Sequence, residues 1–352
     1  MCVAAPDCGP SCTLQPTTAR WVGCAYCGRD RAAATGPVTG RPGSGPPGAW
    51  GSGLLVDVDD PARVVQVRGS AVEYRLSGTE SEAGRPGDVR AAGVVVMLHG
   101  GHLSAQVPLG EARLRATGHT LLVPSRPGYG RTAIHAGPGP QGFADTVAAL
   151  CGRLGIERVR AVMGVSAGGP AAVALTERHP DLVGSLLLVS ARSVLPFPTG
   201  ATRVAAQLAF GPHVEARVWA TVRMLLRRSP ELGLRAMLAS LSTLPTRQVL
   251  ADLSPDERRR LVRLFSVMRS GHGFAIDVRH GLDTDLGRAV GRPTLIVASR
   301  HDGQVGWQHA EDWHQRIGGS RLWQSPSLSH LVWYGSGAVA TDRQIVDFIA
   351  AR

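Results

Sequence analysis

Apolar residues in this chain fall into short continuous runs, separated by longer stretches in which they recur every three or four positions. Residues 93–98, 120–123, 159–163, 184–189 and 294–298 are apolar nearly throughout, the pattern of strands buried on both faces. Residues 63–68 and 72–76 are β-branched runs around Gly69-Ser70 and predict an antiparallel hairpin. A further short strand is expected near 321–324. Helical spacing is read over 103–116, 142–154, 167–177, 307–317 and 338–350. Strand and helix alternate, so the expected class is α/β with a mostly parallel central sheet flanked by helices.

The alternation breaks once. From 193 to 290 the spacing is helical, with no clear strand, and Ser254-Pro255-Asp256-Glu257 carries a capping box with proline at the first helical position. An insertion of this size between two sheet strands reads as a helical cap. The expected organisation is a tail over 1–53, a first core part over 54–192, the cap over 193–290 and a second core part over 291–352.

Composition changes this picture at two places. Five of the six cysteines, Cys2, Cys8, Cys12, Cys24 and Cys27, lie in the first 27 residues, next to a Gly/Pro-dense stretch. The spacings Cys8-x3-Cys12 and Cys24-x2-Cys27 would suit a zinc knuckle, but no hydrophobic pattern surrounds them, so a flexible tail with no metal site is expected. Cys151 is expected to be a small buried apolar residue on a helix. All 38 basic residues are arginine and the formal net charge is +11. The arginines are spread along the chain and aromatics are only 5%, which argues against nucleic acid as a partner. No apolar run approaches the roughly 18 residues of a membrane span. Nor does the sequence from Met1 to Cys12 show a charged region followed by an apolar one, so the expected compartment is the cytoplasm, with no membrane partner.

The chemistry concentrates at strand ends. Gly164-Val165-Ser166-Ala167-Gly168-Gly169 follows one strand and precedes a helix, the setting of a nucleophile elbow. There the serine occupies a strained turn, and its neighbours, Gly164 and Gly168 among them, must be small. Leu98-His99-Gly100-Gly101-His102 follows an earlier strand, where His99 and Gly100 would support a loop whose amide at Gly101 or His102, with that of Ala167, forms an oxyanion hole. Asp302 follows the strand at 294–298, and His330 follows the one near 321–324. Serine, acid and histidine in that chain order match a catalytic triad of Ser166, Asp302 and His330.

With these residues in place, the chain resembles the α/β-hydrolase-fold proteins over about residues 60–352, in the cap-bearing branch that includes esterases, proline iminopeptidases and cofactor-free haloperoxidases. Ser125-Arg126-Pro127-Gly128-Tyr129-Gly130-Arg131-Thr132 is similar to that family's D-x-P-G-x-G-x-S loop, with Ser125 in place of the aspartate and Thr132 in place of the serine. Branches that use an aspartate nucleophile are excluded by Ser166. The resemblance implies acyl transfer through a Ser166 ester, without a cofactor or metal, on a small-molecule ester, thioester or amide. An acyltransferase or perhydrolase using the same intermediate, or a non-catalytic small-molecule binder, is the alternative.

Within the cap, 14 arginines face 8 acidic residues. They read as a solvated basic face, or as one or two ligands for an anionic substrate group. Met224, Leu225, Leu226, Met237, Leu238, Phe265 and Met268 read as the cap's own core, with the lining of an acyl pocket as the alternative.

Overall fold

The computed structural model describes residues 60–78, 93–197, 214–279 and 282–351. The N-terminal tail with its cysteine pairs lies outside the described residues. Eight strands form one sheet: β1 (Arg63–Val67), β2 (Ser70–Ser77), β3 (Val94–Leu98), β4 (Thr120–Pro124), β5 (Ala161–Val165), β6 (Leu186–Val189), β7 (Thr294–Ser299) and β8 (Arg321–Ser325). Their order is β1-β2-β4-β3-β5-β6-β7-β8, with antiparallel pairing only at β1–β2 and β2–β4.

The continuous apolar runs are explained by what covers each face. Val94, Val96, Leu98, Val162, Leu186, Leu188 and Ile296 point into one core, where α2 (Gly139–Arg153), α3 (Gly169–Arg178) and α9 (Trp307–Arg316) supply residues such as Phe143, Val173 and Trp313. Their neighbours Val95, Met97, Ala161, Met163, Leu187 and Leu295 point into a second core, against Leu114 of α1 (Ala112–Ala116) and Ile345 and Phe348 of α10 (Ala338–Ala350). Successive strand residues face opposite sides, so a strand sandwiched between helix layers must be apolar at every position. Cys151 sits in the first core, where burial pushes its thiol up to about 12.

Two sequence expectations shift. The helix expected over 103–116 is confined to Ala112–Ala116. Pro108 lacks an amide, and Gly110 adopts a left-handed φ of 72° with the Trp333 indole packed against it, so residues 103–111 form a loop instead. The strand expected at 159–163 runs over Ala161–Val165, and Val159 makes only an isolated bridge to Val183.

Between β6 and β7 lie α4 (Glu215–Arg228), α5 (Pro230–Leu238), α6 (Thr246–Asp252), α7 (Pro255–Val267) and α8 (Gly273–Arg279). Ser254 and Glu257 cap α7 reciprocally, as their spacing indicates. Trp219, Leu226, Leu238, Leu261 and Phe265 from these helices share a third core with Leu103, Leu109 and Leu331, which belong to loops at the carboxyl ends of the sheet strands. The helices therefore lie over those ends, where an open α/β sheet forms its crevice.

Candidate active site

Ser166 stands at the first residue after β5, in a single 3-10 turn, Ser166–Gly168, that leads into α3. Its φ is +50°, a left-handed value that a non-glycine residue adopts only when its surroundings enforce it. The enforcing contacts are visible. Arg192 donates its backbone N–H to the Ser166 carbonyl at 3.0 Å. A Cβ on Gly168 would stand 2.1 Å from the Leu98 carbonyl oxygen, so only glycine lets the turn close onto the end of β3.

His330 and Asp302 reach the same place from the ends of β8 and β7. Asp302 Oδ2 lies 2.7 Å from His330 Nδ1, and His330 Nε2 lies 3.1 Å from Ser166 Oγ. The other carboxylate oxygen of Asp302 accepts the Gln304 and Val305 amides, both at 2.8 Å, so the buried acid is fixed in orientation. A carboxylate on Nδ1 holds the proton there and leaves Nε2 as an acceptor toward the serine hydroxyl. The series can thus move a proton from Ser166 to His330.

The loop after β3 packs beside Ser166, where a Cβ on Gly100 would stand 3.1 Å from the Ser166 Cβ. Among the described residues neither the Gly101 nor the Ala167 amide is taken up by a loop or turn hydrogen bond, and both residues line the cavity that contains Ser166. His102 follows with a φ of +63°. Its carbonyl accepts the Arg269 amide at 3.0 Å, its Nδ1 is 2.6 Å from Ser270 Oγ, and its ring lies 4.1 Å from that of Phe274. His99 does not enter the cavity. Its Nδ1 donates to the Gly100 carbonyl and its Nε2 accepts the Arg126 amide, which fixes a neutral tautomer. Burial, together with the Arg126 charge, pushes His99 down to about 3. Gly100 lines the cavity, whereas Gly164 lies in β5 before the turn and Gly168 closes the turn against the end of β3.

Several residues that organise this site carry no sequence signal of their own. Arg126 donates through Nε to the His99 carbonyl at 2.8 Å and pairs at both terminal nitrogens with Asp277 of α8, at 2.7 and 2.8 Å. The Tyr129 hydroxyl donates to the same carboxylate at 2.7 Å. Burial opposes ionisation of Asp277, but Arg126 and the Tyr129 hydroxyl outweigh it and hold the carboxyl below its ordinary value. The motif loop is also completed from elsewhere. Ser125 donates to Glu73 of β2 at 2.8 Å, and Thr132 accepts the Glu73 amide at 2.9 Å. Burial would raise Glu73, yet hydrogen bonds from Arg131, Gln106 and Ser125 leave it lowered, so Glu73 supplies the carboxylate that Ser125 does not.

The cavity over Ser166 has a volume of about 760 Å³. Met237, Phe265 and Met268 line it as well as belonging to the third core, whereas Met224 is exposed. No Arg, Asp or Glu side chain is among the described residues lining it. Arg131, Arg260, Arg263 and Arg269 border a separate cavity of about 650 Å³ that shares His102 and Leu103 with it. Among the described residues no group of three or more His, Cys, Asp or Glu is placed to hold a metal, and no helix is long and apolar enough to cross a membrane.

The chain is 30% identical over 284 residues to the uncharacterized hydrolase YcgS of Bacillus subtilis (strain 168), a match that covers 80% of this chain and 95% of that protein. Among solved structures it resembles an α/β hydrolase fold protein from Nakamurella multipartita, with a TM-score of 0.66 and 23% identity over 83% of this chain and 99% of that one. It also resembles the esterase RhEst1 from Rhodococcus sp. ECU1013, with a TM-score of 0.60 and 19% identity over 84% of this chain and 99% of that one. The family model described as alpha/beta hydrolase fold matches residues 93–334, and the chain belongs to that family.

Proposed function

We propose that the protein is a serine hydrolase that cleaves a small carboxylic ester through an acyl-enzyme on Ser166. The observation that carries this reading is the hydrogen-bonded series Asp302–His330–Ser166 at the wall of a large, mainly apolar cavity. Ser166 Oγ attacks the ester carbonyl carbon as its proton passes to His330 Nε2. The oxyanion is received by the Ala167 amide and by that of Gly101 or His102. Collapse expels the alcohol, which takes the proton from His330. Water then attacks the acyl carbon while His330 accepts its proton, and the carboxylic acid leaves with Ser166 restored.

Asp302 orients the imidazole and stabilises its cationic form. The helices between β6 and β7 act as the cap that encloses the acyl and alcohol groups, and the absence of charged side chains from the described lining favours an uncharged substrate. RhEst1, a structural neighbour, is an esterase and so fits the same chemistry.

The test is the intact mass after treatment with a fluorophosphonate. One phosphonyl group per chain is expected, absent in Ser166→Ala and formed far more slowly in His330→Ala. An unlabelled, folded natural chain would refute the reading.

A further inference from the structure

A further histidine faces the same cavity beside His102 and His330, and none of the steps above employs it. His309, on α9, is 3% exposed and lines the cavity with Phe197 and Gln308. The Ser193 backbone N–H donates to its Nδ1 at 3.1 Å. A backbone amide can only donate, so Nδ1 is unprotonated. Burial, together with the Arg192 charge, pushes the ring down to about 4, so at neutral pH it is uncharged and its proton resides on Nε2. Nε2 makes no hydrogen bond within the described residues, and it is not among the side-chain nitrogens sealed away from any accessible space. A donor open to the cavity in this way is available to an acceptor that enters there.

The other polar side chains of the wall are largely committed. Ser242 donates to the Leu328 carbonyl, Gln304 to the Ser240 carbonyl, and Trp219 to Ser270. Gln308 is exposed at the rim. Among the described residues two ring donors of the wall are left over: the Nε2–H of His309, which is open to accessible space, and the Nε1–H of Trp333, which is buried. A neutral ring offers a hydrogen bond without a charge, and the partner that suits it is an uncharged acceptor.

We infer that His309 is a specificity-determining residue whose Nε2–H binds a neutral oxygen of the substrate, a ketone or ether oxygen remote from the scissile ester. The substrate class is accordingly an uncharged oxo- or alkoxy-substituted ester. This deepens the proposed function and rests on it for the word substrate, while the binding itself needs no turnover.

Asparagine and glutamine separate the two nitrogens. His309→Asn places an acceptor near the Nδ1 position and removes the cavity donor, whereas His309→Gln offers a donor near the Nε2 position. The experiment measures calorimetric affinities of Ser166→Ala protein for chain-matched ethyl esters, hexanoate against 4-oxo- and 5-oxohexanoate and the corresponding methoxy esters. It also measures kcat/KM of the natural chain on the same set.

At least one oxygenated ester is expected to bind on the order of tenfold more tightly than its alkyl counterpart. That ratio should collapse toward one in His309→Asn and be retained in His309→Gln. A purely structural histidine would lower both affinities and leave the ratio intact. An unchanged ratio in His309→Asn, or no preference for oxygen in any ester, overturns the inference. Tight, His309-dependent binding without turnover would sustain it while refuting the esterase reading.

Discussion

Asp277→Asn removes one negative charge from a buried ion pair between the helical insertion and the loops around Ser166, with almost no change in shape. The side chains of Arg126 and Asp277 are 6% and 15% exposed, and three hydrogen bonds of 2.7 to 2.8 Å converge on the carboxylate. The substitution leaves the Arg126 guanidinium buried against the His99 and Gly100 carbonyls with no counter-charge. Removing one partner of such a pair costs about 3–5 kcal/mol. The exposed pair Arg235–Glu231, 61% and 57% exposed, is the reference, and such pairs contribute about 0–1 kcal/mol.

Unfolding in urea, followed by near-ultraviolet circular dichroism, should therefore show a loss of about 3–5 kcal/mol for Asp277→Asn and less than about 1 kcal/mol for Glu231→Gln. Combining Arg126→Met with Asp277→Leu should recover part of the deficit, since it replaces both charges with apolar groups. A loss for Asp277→Asn no larger than that of Glu231→Gln would refute the reasoning, because it would mean that water already reaches this pair.

Two further outcomes can be measured with the same equipment. Gly168→Ala puts a methyl group 2.1 Å from the Leu98 carbonyl oxygen, so the turn must shift; a loss of about 1–3 kcal/mol and a fluorophosphonate labelling rate at least tenfold lower are expected, and a variant that labels normally would contradict the packing. Stability should also fall on mild acidification, because His99 and His102 are held near 3 by burial while an unfolded imidazole gains its proton at 6.5. Below 6.5 the unfolded chain binds more protons, so each histidine removes on the order of 1.4 kcal/mol per pH unit as the pH drops toward the folded value. Urea unfolding at pH 7.5 and 5.5 checks the sign, and equal free energies would rule it out.

The fold was legible wherever a segment is buried on both faces, because such strands can be nothing but apolar. Ser166 and Asp302 were legible for a related reason, since each lies just beyond such a strand; His330 follows β8, a partly exposed edge strand with polar positions, and was read from its order in the chain, and the structure brings the three side chains together. Residues 103–116 misled because apolar spacing outweighed Pro108 and Gly110. Glu73 and Asp277 escaped notice because each is a single carboxylate whose partner lies far along the chain, at Ser125 and Arg126. His309 was one histidine among 12, and only its contact with the Ser193 amide distinguishes it.

Besides the Arg126–Asp277 pair, the helical insertion is fastened to the site through main-chain atoms. The His330 amide donates to the Leu241 carbonyl at 2.7 Å, Gly303 donates to the same oxygen, and the Arg269 amide donates to His102. Ties of this kind do not depend on which side chains the residues carry. Selection or design can therefore rewrite the cavity-facing side chains of the insertion to suit a new ester while the attachment that holds His330 and the His102 loop in register stays in place. Inserting or deleting a residue between 238 and 246 would do the opposite, preserving every side chain of the cavity while sliding the carbonyl on which the histidine loop hangs.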